Sequence, residues 1–206
     1  MTKPKLFSTW SYPTEVRFGV GRISEICDAC SALNIERPLI VTDTGLANSE
    51  IIKNLTELIE AGDLKMGLFS KVQGNPVGKN IEEGTAAFRS GSHDGVIAIG
   101  GGSAMDSAKA IAVMAVHGGH LSRFKVPAEA PVGLPIVAVP TTAGTGSEVT
   151  KVSIVIDSVT EEKMLIMGAG MLPDAALVDY DGGRDDLMGT QPRAAPLADT
   201  HRRARE

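Results

Sequence analysis

The sequence predicts an α/β fold, a mostly parallel sheet with helices on both faces. Three observations carry this prediction. Compact apolar runs of the kind a buried parallel strand needs recur at 39–42, 96–99 and 135–139. Segments with apolar residues at helical spacing separate strand from strand, and the alternation repeats at least three times. Turn residues and hydroxyls follow the apolar runs directly: Asp43, Asn75, Gly100–Ser103 and Thr141–Ser147. In a parallel sheet those positions share the carboxyl end of the strands, where ligands bind, so they are expected to converge on one crevice.

Taken in order, 16–20 reads as a first strand closed by Gly21. A helix follows with Ile23, Ile26, Cys27, Cys30 and Leu33 on its inward face. Residues 39–42 form the next strand, ending at Asp43. The helix at 48–61 puts Ile51, Ile52, Leu55, Leu58 and Ile59 on one side and stops at Gly62. A strand at 66–72, a turn at Gly74-Asn75-Pro76 and a weaker helix at 81–90 come next. The strand at 96–99 runs through three glycines into a long Ala-rich helix. Residues 117–135 are rich in Gly and Pro and read as an irregular connection, with His117 and His120 as solvated surface residues. The strand 135–139 is halted by Pro140. Two strands at 152–157 and 164–167 flank a turn at 158–162, and 175–178 is a last short strand.

Beyond Asp179 the periodicity ends. The break Asp181-Gly-Gly-Arg-Asp-Asp186 leads into a stretch carrying Arg193, Arg202, Arg203 and Arg205. The expected organisation is one α/β domain over 1–179 and a poorly ordered tail over 180–206.

With 43% hydrophobic and 22% charged residues, the 206-residue chain can bury a sizeable core. A net charge of −5 gives no footing for nucleic acid or an anionic membrane surface. No apolar run approaches the roughly 20 residues of a spanning helix, and the first ten residues hold no signal-peptide core. The expectation is a cytoplasmic protein. Its two cysteines, Cys27-Asp-Ala-Cys30, share the inward face of a helix and have no second C-x-x-C to complete a metal site, so they read as core residues.

Two stretches carry chemistry. Gly100-Gly-Gly-Ser103 joins a buried strand to a helix. Such a turn leaves the first helical N–H groups unpaired at the positive end of the dipole, and glycines let an anion approach the backbone. Ser103 can cap the helix or give its hydroxyl to a phosphate. The spacing is neither G-x-G-x-x-G, because Met105 stands at the third position, nor a P-loop. Phosphate cradle and bare strand-to-helix turn are both compatible with it. The second stretch, Pro140-Thr-Thr-Ala-Gly-Thr-Gly-Ser-Glu-Val-Thr150, offers hydroxyls suited to a ribose, phosphate or carboxamide, or to its own backbone. Asp106 and Lys109 are spaced for a simple i, i+3 helix pair.

Taken together, Val41-Thr-Asp-Thr-Gly-Leu46, Gln73-Gly-Asn-Pro76, Gly100-Gly-Gly-Ser-Ala-Met-Asp-Ser-Ala-Lys109 and the 140–150 loop, in this order, resemble the N-terminal half of the iron-containing, or group III, alcohol dehydrogenases. The resemblance spans about 18–179. It implies a Rossmann-like nucleotide-binding domain, to which the family adds an all-helical C-terminal domain, with the active site between the two. It also implies NAD rather than NADP, Fe or another divalent metal in the complete enzyme, and a small alcohol or aldehyde as substrate. At matching positions, Asp43 would bond the adenosine ribose and repel a 2′-phosphate, and Asn75 would line the adenosine and ribose side of the cleft. Gly101, Gly102 and Ser103 would hold the pyrophosphate. Thr141, Thr142, Thr145 and Ser147 would touch the phosphates and nicotinamide half, and Lys163 would reach the cofactor ribose.

The family holds its metal with an Asp and three His in the helical half, the first two within a Gly-x-Asp-Ala-Leu-x-His stretch. That stretch is absent after Asp179. Asp199-Thr-His201 is the nearest match, but i, i+2 spacing points its side chains to different sides of a helix. His93, His117 and His120 form no metal pattern, so no residue is assigned a catalytic or metal-holding role. The expectation is a cofactor-binding domain, truncated and inactive alone, that self-associates or forms homo-oligomers through its uncovered flank. The alternatives are an inactive nucleotide-binding remnant and a related polyol dehydrogenase or dehydroquinate-synthase-like enzyme. The 140–150 loop favours the alcohol branch.

Overall fold

A computed structural model describes residues 7–180. Its centre is a seven-stranded sheet. In chain order the strands are β1 (Phe7–Tyr12), β2 (Thr14–Gly19), β3 (Pro38–Asp43), β4 (Gly67–Val72), β5 (Gly95–Gly100), β6 (Ile136–Pro140) and, after a separate hairpin of β7 (Val152–Ile156) and β8 (Lys163–Met167), β9 (Ala175–Val178). The spatial order is β1-β2-β9-β6-β5-β3-β4. All neighbours are parallel except β1, which runs antiparallel to β2 at the edge.

The four helices are α1 (Ile26–Ala32), α2 (Glu50–Ala61), α3 (Gly78–Ser90) and α4 (Gly102–His117). Alternate side chains of each strand sort them onto two faces. Ile40, Ile97, Ile99, Val137, Val139 and Leu177 pack with Ile26 and Cys30 of α1 and Ile52, Leu55 and Ile59 of α2. Leu39, Val41, Val96, Ala98 and Ala138 pack with Phe88 of α3 and Met105, Ala108 and Ile111 of α4. Every residue of β5 is buried, which explains its uninterrupted apolar run. Helix α4 is buried on nearly all sides because the β7–β8 hairpin covers the flank that the sheet does not. Burial of each large aliphatic side chain in these layers contributes about 1.5–3 kcal/mol.

Several details differ from the sequence reading. The first predicted strand lies at Thr14–Gly19, and β1 precedes it. Helix α3 begins at Gly78, three residues early, because the Asn80 carboxamide oxygen accepts the Val77 N–H at 3.2 Å and ties down the first turn. His117 and His120 are exposed but bonded: the His117 Nε2 contacts the Val132 carbonyl at 2.8 Å, and the His120 Nδ1 contacts the Ser122 hydroxyl at 2.8 Å. Cys30 is fully buried, which pushes its thiol up to about 12, and Cys27 gives its S–H to the Leu58 carbonyl. The expected tail beyond Tyr180, with Asp199 and His201, lies outside the described residues. Among the described residues no helix is long and apolar enough to cross a membrane.

Candidate functional site: a switch-point cleft

Strands β3 and β5 are neighbours, but the helices that leave them go to opposite faces of the sheet. Helix α2 leaves β3 on the α1 side, and α4 leaves β5 on the other. The chain parts at their carboxyl ends and opens a crevice, the place where a parallel α/β sheet receives ligands. Asp43 ends β3 and Gly100 ends β5, so both stand on its rim.

The rim is shaped by local bonding. The Asp43 Oδ1 accepts the N–H groups of Gly45 at 2.9 Å and Leu46 at 3.0 Å, which folds the loop after β3. The Asp43 Oδ2 turns toward β5: a Cβ built on Gly100 would lie 3.2 Å from it and 2.7 Å from the Ala104 Cβ. Gly100 also has φ +142°, a conformation that L side chains rarely adopt. The first helical bond of α4 runs from Met105 N–H to Gly101 O at 3.1 Å. The N–H groups of Gly102, Ser103 and Ala104, in the first turn of the helix, are therefore without carbonyl partners. Gly101, not Ser103, is the N-cap residue. The Ser103 hydroxyl is left without a bond among the described residues, beside those N–H groups. Free donors at the dipole's positive end, with a bare glycine in front, fit a phosphate.

The loop after β6 closes over this turn. Thr141 N–H donates to Gly100 O at 2.9 Å, and Thr142 and Thr145 stand against Gly101 and Gly102. The far end of the loop is clamped from beneath. The Lys109 Nζ, fully buried, donates to the Ser147 hydroxyl at 3.0 Å and to the carbonyls of Thr150 and Val152 at 2.9 Å each. Ser147 in turn donates to the Asp106 Oδ1 at 2.7 Å, and the Asp106 Oδ2 accepts the Ile154 N–H at 2.9 Å. Burial pulls Lys109 down to about 8, against the opposing pull of Asp106 and Glu148. Asp106 and Lys109 thus meet through Ser147 rather than as the expected helix pair. Ser147, expected at the cofactor, has its hydroxyl engaged on both sides.

Next to the turn a cleft of about 550 Å³ opens between the ends of β6 and β9 and the first turn of α2. Phe18, Ile51, Val139 and Val178 make it largely apolar, and Tyr180 stacks on Phe18 with ring centroids 5.2 Å apart. Thr141 and Thr142 line it, as does Glu148, whose buried Oε2 has no hydrogen-bond partner among the described residues. The sequence reading missed this cleft, since its walls come from elements scattered along the chain, from Phe18 to Tyr180.

The structure thus brings Asp43, Gly101, Gly102, Ser103, Thr141, Thr142 and Thr145 to one crevice. Of the expected site residues only Thr141 and Thr142 also line the apolar cleft; Asn75, at φ 57°, and Lys163, the first residue of β8, are exposed. Among the described residues no three His, Cys, Asp or Glu side chains gather as a metal-holding group.

Comparison with known proteins agrees with this architecture. The chain is 33% identical over 178 residues to a choline dehydrogenase of Bacillus subtilis (strain 168), covering 84% of this chain and 44% of that protein. It is 32% identical over 182 residues to an NAD-dependent methanol dehydrogenase of Bacillus methanolicus, covering 87% and 46%. A sulfoacetaldehyde reductase from Bifidobacterium kashiwanohense, solved in complex with NAD+, superposes with a TM-score of 0.76 at 33% identity, covering 86% of this chain and 47% of that one. The chain spans about half the length of these relatives. The sequence profile of iron-containing alcohol dehydrogenases matches residues 13–180, across the crevice and every strand that builds it, and the chain belongs to that family.

Proposed function

We propose that this chain is the cofactor-holding part of an NAD-dependent alcohol dehydrogenase, moving a hydride between a small primary or secondary alcohol and nicotinamide. The observation that carries the reading is the set of free N–H groups at Gly102, Ser103 and Ala104, one loop away from the Asp43 carboxylate. Phosphate on those donors puts a ribose within reach of the Asp43 Oδ2, which the loop leaves uncommitted. The apolar cleft beyond, with Phe18 and Tyr180 in its wall, then takes the adenine ring. The Thr141–Thr145 loop covers the pyrophosphate. When bound, NAD supplies the hydride acceptor at nicotinamide C4. The described residues provide no ligand set for the metal in the family's description, so the part proposed for them is to bind and orient the dinucleotide.

Calorimetric titration of the full chain with NADH tests this, followed by competition with ADP-ribose and with nicotinamide mononucleotide. ADP-ribose carries every group that the crevice grasps and should displace NADH. The mononucleotide should not. Failure of NADH and NAD+ alike to bind would overturn the reading.

A further inference from the structure

The hydroxyl-rich loop 141–150 is held at two points. At its start the Thr141 N–H donates to the Gly100 carbonyl. Its second hold is Ser147, the one buried residue in the stretch. Between the two, residues 142–146 make no hydrogen bond to any other part of the described protein. Gly144 and Gly146 take positive φ there, +94° and +67°, and a Cβ on Gly144 would meet nothing within 4 Å. Thr142 and Thr145, which stand against Gly101 and Gly102, therefore owe their position to the two ends. Ser147 passes its hold forward, since its N–H donates to the Thr145 hydroxyl at 3.4 Å.

Ser147 is itself gripped by α4. Its hydroxyl donates to the Asp106 Oδ1 at 2.7 Å, so toward Lys109 its oxygen only accepts. An ammonium has three N–H donors and no lone pair. Those of Lys109 reach the Ser147 oxygen and the Thr150 and Val152 carbonyls, with the Thr150 hydroxyl a longer 3.5 Å away. A neutral amine would keep two donors and turn its lone pair on the third acceptor. Among the described residues two charged groups face the ammonium: Asp106, one turn earlier on the same helix, and Glu148, beside Ser147 on the 3-10 turn. The loop and β7 otherwise offer it neutral oxygens. On the cofactor reading above, we infer that Lys109 is a positioning residue for the dinucleotide: as an ammonium, and only as one, it seats Ser147 so that Thr142 and Thr145 close over the donors at Gly102, Ser103 and Ala104. Burial brings the loss of its proton down to about 8.

Calorimetric titration of the full chain with NADH between pH 7 and pH 10, a span in which NADH has no titrating group of its own, reads this role. Wild-type affinity should hold steady to about pH 8 and then fall by about tenfold per pH unit. Binding above pH 8 should take up a proton, seen as a heat that varies with the ionisation enthalpy of the buffer. Lys109→Met, confirmed folded by circular dichroism, should bind about tenfold more weakly at pH 7 and give a flat profile, so the two curves converge at high pH. A merely structural prop would weaken the variant without giving wild type this slope. Wild-type affinity that stays level from pH 7 to pH 10 would overturn the role of Lys109 and leave the cofactor reading standing. So would a folded Lys109→Met that keeps the wild-type slope. If the variant does not fold, the wild-type profile and its proton uptake decide alone. Failure of wild type to bind NADH at any pH would instead strike the cofactor reading itself.

Discussion

Lys109 and Ser147 lie 38 positions apart in the chain, yet the Lys109 Nζ donates to the Ser147 hydroxyl across 3.0 Å inside the core. With the Thr150 and Val152 carbonyls on the same ammonium, this bond fixes the far end of the hydroxyl-rich loop to the helix whose first turn faces the crevice. Lys109→Met would leave the Thr150 and Val152 carbonyls short of a donor and the Asp106 carboxylate without its neighbouring positive charge in a buried site. The expected loss is about 3 kcal/mol of stability, read by urea unfolding. Ser147→Ala removes only the bridge and should cost about 1–2 kcal/mol.

The same lysine makes stability depend on pH in a particular direction. The unfolded chain keeps the proton up to its ordinary value of 10.5, whereas burial lets the folded protein release it near pH 8. Between those values the unfolded state binds more protons, so stability rises with pH. Wild type should therefore gain on Lys109→Met by about 1–3 kcal/mol from pH 8 to pH 10.5. Unfolding curves at pH 7.5, 9 and 10 for both proteins check the slope, and a flat difference would contradict it.

Asp43 should decide between cofactors. Its Oδ1 is held by the Gly45 and Leu46 N–H groups, so the Oδ2 remains to meet a ribose. NADH should bind at least about tenfold tighter than NADPH, because a 2′-phosphate would approach a carboxylate. Asp43→Gly should narrow the gap, and equal affinities in wild type would remove the assignment. Calorimetry with both cofactors gives the answer.

Neighbouring glycines should respond differently. Gly101 has φ −81°, which any residue adopts, and a Cβ there would meet the Thr142 side chain, its hydroxyl at 3.0 Å and its Cβ at 3.6 Å. Gly101→Asp should fold, with an unchanged circular dichroism spectrum, and lose NADH binding because its charge fills the phosphate position. Gly100→Ala carries a positive φ and a clash with Ala104, so it should lose stability by about 1–3 kcal/mol.

The strands that were plain in the sequence are those whose side chains are buried on both faces, β3, β5 and β6, where an apolar run ends abruptly at Asp43, Gly100 or Pro140. Those same endings marked the rim of the crevice. The edge strand β1 escaped notice because F-S-T-W-S-Y has no continuous apolar run. The partners of Lys109 were hidden for another reason. Spacing on a helix identifies neighbours on that helix, but it cannot show that a hairpin from 152–167 will cover the face and offer the ammonium its Val152 carbonyl.

The position of β9 between β2 and β6 has a consequence for how the chain acquires its shape. Glu15 to Phe18 find their sheet partners only at Ala175 to Val178, and the Thr14 hydroxyl waits for the Pro173 carbonyl, 159 residues downstream. Within this domain β1 and β2 precede every other strand in the chain, and β2 gains its second neighbour only when β9 follows. The β3–β6 layers can assemble while that opening ribbon stays undocked, and the closing step joins distant ends of the domain. Native hydrogen exchange should show the β2–β9 seam opening at lower free energy than β3, β5 and β6.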